Sequence, residues 1–144
     1  MMHRIAYLCG TRAWGGLEMN QVRNAEWMRD RGHTVVVFCV KDSPVYNAAI
    51  LKNLSISIIK QHRHHYDFFN AFLLYKALKK NAIDHLIFRA TFDMSIAASI
   101  GFLSRKKIRV HYFMEMAFEK NKRHFFRTWR YSFFDSWICP LAYL

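Results

Sequence analysis

Cysteine is scarce in this chain. Cys9, Cys39 and Cys139 are its three thiols, odd in number and far apart, so they define neither a disulfide framework nor zinc spacing. Each falls in an expected buried strand and reads as a reduced core residue. Long apolar runs are missing as well. No stretch approaches the roughly 18 apolar residues of a membrane span, and the run after Arg4 is too short for a secretory signal, which predicts a cytoplasmic protein. Low-complexity tracts and internal repeats are absent. Acid is the last scarcity: ten Asp plus Glu stand against 22 Lys plus Arg, a formal charge of +12. Such a balance calls for an anionic partner, whether lipid headgroups, nucleic acid or a phosphorylated glycan. The excess collects in Arg105-Lys106-Lys107-Ile108-Arg109 and between 120 and 130.

What is present begins with a strand, a glycine loop, a helix and a second strand. Ile5-Ala6-Tyr7-Leu8-Cys9 is a short apolar run closed by Gly10, as in a buried strand of a parallel sheet. After Gly10-Thr11-Arg12-Ala13-Trp14-Gly15-Gly16, the residues Leu17, Gln21, Ala25 and Met28 share one helical face, and Gly32 stops the helix. Thr34 to Val40 is β-branched and continuous, which completes a βαβ unit whose loop lies at the carboxyl end of its first strand. Gly15 and Gly16 free the backbone for positive φ and for close approach of a ligand at a positive helix end, suiting an anion or a polar sugar. The same glycines also fit a plain tight turn. They match neither G-x-G-x-x-G nor a P-loop.

Trp14-Gly15-Gly16-Leu17-Glu18 and the junction Gly32-His33-Thr34-Val35 resemble the G-G-x-E turn and G-H-x-V junction of the amino-terminal domain of group 1 (retaining, GT-B fold) glycosyltransferases. The specific match covers residues 4 to 40. The resemblance implies a Rossmann-like, mostly parallel sheet with helices on both faces. Residues 1–144 would form the acceptor-side half of a two-domain enzyme, cut at or near its carboxyl end, with the donor-binding domain missing. It further implies a hexosyltransferase that uses a sugar nucleotide, held chiefly by the absent half, on an envelope or lipid-linked glycan. This domain alone would bind no cofactor and transfer nothing. Gly15 and Gly16 would then approach the donor phosphates or sugar, and Glu18 would line the acceptor side.

The remaining chain alternates as an α/β domain should. A turn at Ser43-Pro44 precedes a short helix at 45–52, and Ser55 to Ile59 reads as the third strand. His62-Arg63-His64-His65 lacks carboxylate or cysteine partners at ligand spacing, so it reads as a solvated loop and no metal site is expected. Asp67 can cap the next helix, whose wide apolar face is Phe68, Ala71, Phe72, Leu74, Tyr75 and Leu78. A fourth strand at 85–88, a helix of small residues at 94–103 and a fifth strand at 108–113 follow.

Two carboxylates fall at strand ends on the glycine-loop edge, Asp93 and Glu115. In the resembled family the corresponding turns carry histidine and contact sugars. Here Arg89, Thr91 and Asp93 occupy the first turn and Glu115 the second, as candidates for acceptor binding and orientation, with the catalytic residue unassigned. Asp93 also fits a simple helix N-cap, and Glu115 an ion pair. Arg123, Arg127 and Arg130 recur at i, i+4 and i+7, beside Phe125, Phe126, Trp129 and Phe133. That helix fits an anionic membrane surface, placing the protein peripherally on the inner membrane face, and equally fits a core helix with a wet edge. Two function classes remain: the acceptor half of a glycosyltransferase, and a non-enzymatic basic α/β nucleic-acid-binding domain. The glycine loop beside strand-end carboxylates favours the first, since a nucleic-acid binder has no need of it.

Overall fold

A computed structural model of the chain describes residues 1–63, 66–114 and 125–138, without the side chains of 125–127. Glu115, Arg123, Cys139 and the side chain of Arg127 lie outside the described residues. Six strands, β1 (Arg4–Cys9), β2 (Thr34–Val40), β3 (Ser55–Ile59), β4 (His85–Phe88), β5 (Arg109–Phe113) and β6 (Ser136–Ile138), alternate with five helices. The helices are α1 (Gly16–Asp30), α2 (Pro44–Leu51), α3 (Phe68–Lys80), α4 (Met94–Leu103) and α5 (Phe125–Tyr131). The strands form one parallel sheet in the order β3-β2-β1-β4-β5-β6. This is the Rossmann-like α/β fold that the sequence implies.

Side-chain alternation along β1 explains the two helical layers. Ile5, Tyr7 and Cys9 join Val35, Val37 and Cys39 beneath Val22 and Ala25 of α1 and Val45 and Ala49 of α2. Ala6 and Leu8 point the other way, to Ala71, Leu74 and Leu78 of α3 and to Ile96, Ala97 and Ile100 of α4. Phe88 and Tyr112 stack in that second core at 4.9 Å. Complete burial of a side chain such as Phe88 or Leu86 is worth about 1.5–3 kcal/mol.

The Gly-His junction has a specific cause. Gly32 has φ +90°, and α1 ends in paired bonds, Gly32 N–H to Arg29 O at 2.9 Å and His33 N–H to Met28 O at 3.1 Å. A left-handed residue just past the helix closes these bonds, and glycine takes that conformation without a Cβ penalty. α3 starts as expected, with the Asp67 carboxylate accepting from Asn70 N–H at 3.2 Å. Its buried stripe is narrower than the sequence implies, however. Ala71, Leu74 and Leu78 are buried against α4 while Phe68 and Phe72 are exposed at the mouth of a cavity between α3 and α4.

Candidate functional site

β1 continues to one side of the sheet and β4 to the other, so their carboxyl ends flank the crevice where open α/β sheets bind ligands. Three loops meet there. Gly10, just after β1, donates its N–H to Asp93 Oδ1 at 3.0 Å. His62, from the segment after β3, places Nε2 3.0 Å from the same oxygen. Asp93 itself closes a short 3-10 turn, Thr91–Asp93, after β4, and its residue is 0% exposed. Phe92 lies against the imidazole with ring centroids 4.9 Å apart. A Cβ on Gly10 would stand 1.9 Å from His62 Cε1 and 2.5 Å from Asp93 Oδ1, so only glycine fits.

Two expectations change here. His62 is not part of a solvated loop: it is buried, because it supplies the partner that an enclosed carboxylate needs. Asp93 sits at the N-cap position of α4, but its side chain makes no capping bond. Its backbone is already helical, φ −86° and ψ −6°, whereas a capping residue is typically extended. Burial pushes the Asp93 carboxyl above its ordinary range, opposed by His62 and by the Gly10 N–H. Both ring nitrogens of His62 and Asp93 Oδ2 are buried with no geometrically formed hydrogen bond among the described residues, so the 3.0 Å contact of Nε2 with Asp93 Oδ1 is a close polar pairing rather than an aligned hydrogen bond.

The glycine loop also differs in detail. Gly15 is extended at φ −159°, and Gly16 opens α1 with nothing within 4 Å of where a Cβ would stand. Neither requires positive φ, correcting that expectation. The open space beside Gly16 leaves its side of the loop to whatever approaches from outside. α1 starts without a side-chain cap, so its first-turn amides lack that internal partner. Glu18 lies in this first turn and is buried.

Arg89 is buried as well, its guanidinium carbon 4.1 Å from the Phe113 ring centroid. Burial pulls its pKa down to about 10. Thr91 is exposed at the start of the 3-10 turn after β4. Arg130, one of the arginines suited to either a membrane surface or a wet core edge, donates from Nη1 to Ser95 Oγ of α4 at 2.6 Å. Trp129 is half exposed. Gly10 and His62 are the site residues that the sequence did not single out. Among the described residues, no group of three or more His, Cys, Asp or Glu is placed to hold a metal.

No protein-family model and no curated protein matches the chain. Solved structures do match. A glycosyltransferase from Rickettsia africae is 15% identical with a TM-score of 0.71, over 91% of this chain and 34% of that one. MurG of Acinetobacter baumannii is 14% identical with a TM-score of 0.68, over 96% and 41%. HepE of Anabaena, solved in complex with UDP and glucose, is 14% identical with a TM-score of 0.60, over 78% and 30%. At these identities the likeness establishes the fold alone, a Rossmann-like α/β domain like the ones in these three proteins. The chain spans 30% to 41% of the lengths of those proteins.

Proposed function

We propose that this chain is the acceptor-side half of a GT-B glycosyltransferase, which moves a hexosyl group from a sugar nucleotide to an envelope or lipid-linked glycan. The observation that carries this is the crevice between β1 and β4, with a glycine loop and an uncapped helix start at one wall and a locked carboxylate at the other. HepE, whose structure holds UDP and glucose, shares this fold.

The residues divide by what their burial permits. Gly15 and Gly16 face donor phosphates or sugar across the cleft, where α1 amides and the positive helix end favour an anion. Thr91 meets an acceptor hydroxyl directly. Asp93 and His62 hold the three loops in register and act as positioning residues. Glu18 and Arg89 set the charge behind the acceptor wall, and Glu115 orients the acceptor from the next strand end. The sugar nucleotide is bound mainly by a second, donor-binding domain. Work at the cytoplasmic face of the inner membrane agrees with the net charge of +12 and with exposed rings on α3 to α5. No helix among the described residues is long and apolar enough to cross a membrane.

The test compares residues 1–144 alone with the same chain joined to a donor-binding half, each given sugar nucleotides and lipid-linked glycan acceptors. Turnover only in the joined protein is expected, with loss of rate in Asp93→Asn and Glu115→Gln variants that still fold. Turnover by residues 1–144 alone, or normal rates in both variants, contradicts the assignment.

A further inference from the structure

A cavity of about 360 Å³ lies among α3, α4 and α5, within the roughly 300–1,000 Å³ typical of small-molecule sites. Phe68 and Phe72 form one wall, Trp129 and Phe133 the other, and Ala98 and Ser99 of α4 the floor. Phe68 is 69% exposed, Phe102 64% and Trp129 52%. Contiguous apolar exposure of this kind marks a binding surface. Its shape is a trough: from Ser95 to Leu103 the floor runs about 12 Å along the helix.

The polarity of the trough is uneven. Arg130 lies in it next to Ser95, in the first turn of α4 and two residues beyond Asp93, so the cation stands at the end nearest the crevice. Its Nη1 is used by Ser95, but its buried Nε has no hydrogen-bond partner among the described residues. A guanidinium is charged at any working pH, so a half-buried one whose Nε is enclosed and unpaired among the described residues favours an anion beside it. Beyond the other end, Arg105, Lys106 and Lys107 are exposed where α4 finishes.

We propose that this trough holds the hydrocarbon chain of a lipid phosphate, with the phosphate on Arg130 and the attached sugar directed to the crevice at Asp93. The assignment rests on the acceptor-side function above and specifies its acceptor as lipid-linked. A concave trough with aromatic walls on both sides fits one chain lying lengthwise, whereas a bilayer surface would be met by a convex apolar face. The cation is placed where the chain ends and the glycan begins.

Farnesyl phosphate, kept below its micelle concentration, is the probe, titrated into the full chain by calorimetry and followed by tryptophan fluorescence. Saturable one-to-one binding is expected, with farnesol about tenfold weaker for lack of the charge-assisted bond and inorganic phosphate silent. Ser99→Phe, which fills the floor, should abolish binding. Trp129→Ala, a surface change that leaves the core intact, should weaken it. Arg130→Gln should weaken farnesyl phosphate and leave farnesol unchanged. Binding to phosphatidylglycerol vesicles with none to monomeric farnesyl phosphate overturns the proposal, as does binding indifferent to Ser99→Phe and Trp129→Ala. So does a trough already filled by residues 115–124, revealed by probe binding only after their deletion. If the probe does not bind yet the joined enzyme transfers sugar, the trough assignment alone fails. If the probe binds and no transfer occurs, the acceptor-side function fails and a lipid-phosphate site remains.

Discussion

Three aspartates accept a backbone N–H at the ends of this sheet, and they are used in two ways. At the amino edge, Asp84 accepts from Arg4 at 3.1 Å and Asp135 from Val110 at 2.8 Å, both exposed. At the carboxyl edge, Asp93 accepts from Gly10 at 3.0 Å in complete burial. The exposed pair ties strand starts together and leaves its spare oxygens to water. Asp93 is closed off from bulk solvent, sits 3.0 Å from His62 and keeps one oxygen with no partner among the described residues. One edge closes a sheet economically; the other holds buried polar groups at a cost that a merely structural edge does not require.

The comparison breaks most sharply at Asp93. Asp93→Ala leaves His62 and the Gly10 amide buried without a partner, and should lower unfolding free energy by about 3–5 kcal/mol. Asp84→Ala should lose about 1 kcal/mol, because water replaces an exposed acceptor. Equal losses in urea denaturation would erase the distinction between the edges. Gly10→Ala comes next, with a methyl driven into His62, and should cost about 1–3 kcal/mol. A stability within error of wild type would mean that His62 moves away freely.

The amino edge carries its own sensitivity, to pH. His85 Nδ1 lies 2.9 Å from His111 Nε2, and His111 Nδ1 lies 2.6 Å from Ser136 Oγ. Burial lowers both pKa values, helped by His3 and Arg109 at His85 and by His85 and Arg109 at His111, against Asp84 and Asp135 at His85 and Asp135 at His111. The unfolded chain therefore takes up protons first as pH falls through about 6.5, and stability drops from there toward the lowered folded values. Urea midpoints between pH 7.5 and pH 5 should fall in the wild type and fall less in a His85→Gln, His111→Gln double variant. An unchanged slope would remove these rings as its cause.

The smallest expected effect is a gain. Ala82 follows α3 at φ +51°, closing the same paired bonds that Gly32 closes after α1. Ala82→Gly should stabilise by about 1 kcal/mol by relieving the left-handed strain, visible as a higher melting temperature.

The first five strands were legible because they are apolar or β-branched runs, and α4 was legible because small residues fill 94–103 between two such strands. The carboxyl-edge cluster was not. Gly10 and Asp93 are 83 residues apart, and no local pattern announces their bond. His62 sits in a polar run whose neighbours give no sign of burial. Asp93 was found by position, and only its alternative as a cap falls away, since an aspartate before a helix looks like a cap until the 3-10 turn that precedes it is known. Phe68 and Phe72 follow helical spacing that fits a core, yet they stay exposed over a cavity that α4 floors.

The proposed function depends above all on the Gly15-Gly16 side of the crevice being kept open for a ligand. Gly16 has φ outside the left-handed region and no neighbour within 4 Å of a Cβ, so Gly16→Val separates fold from function. Steady-state kinetics of the chain joined to a donor-binding half and carrying this substitution, beside its melting temperature, is the direct measurement. Stability close to wild type with kcat/KM reduced by at least about tenfold, the loss of one charge-assisted contact, is the predicted result; an unchanged kcat/KM in a folded variant would contradict it.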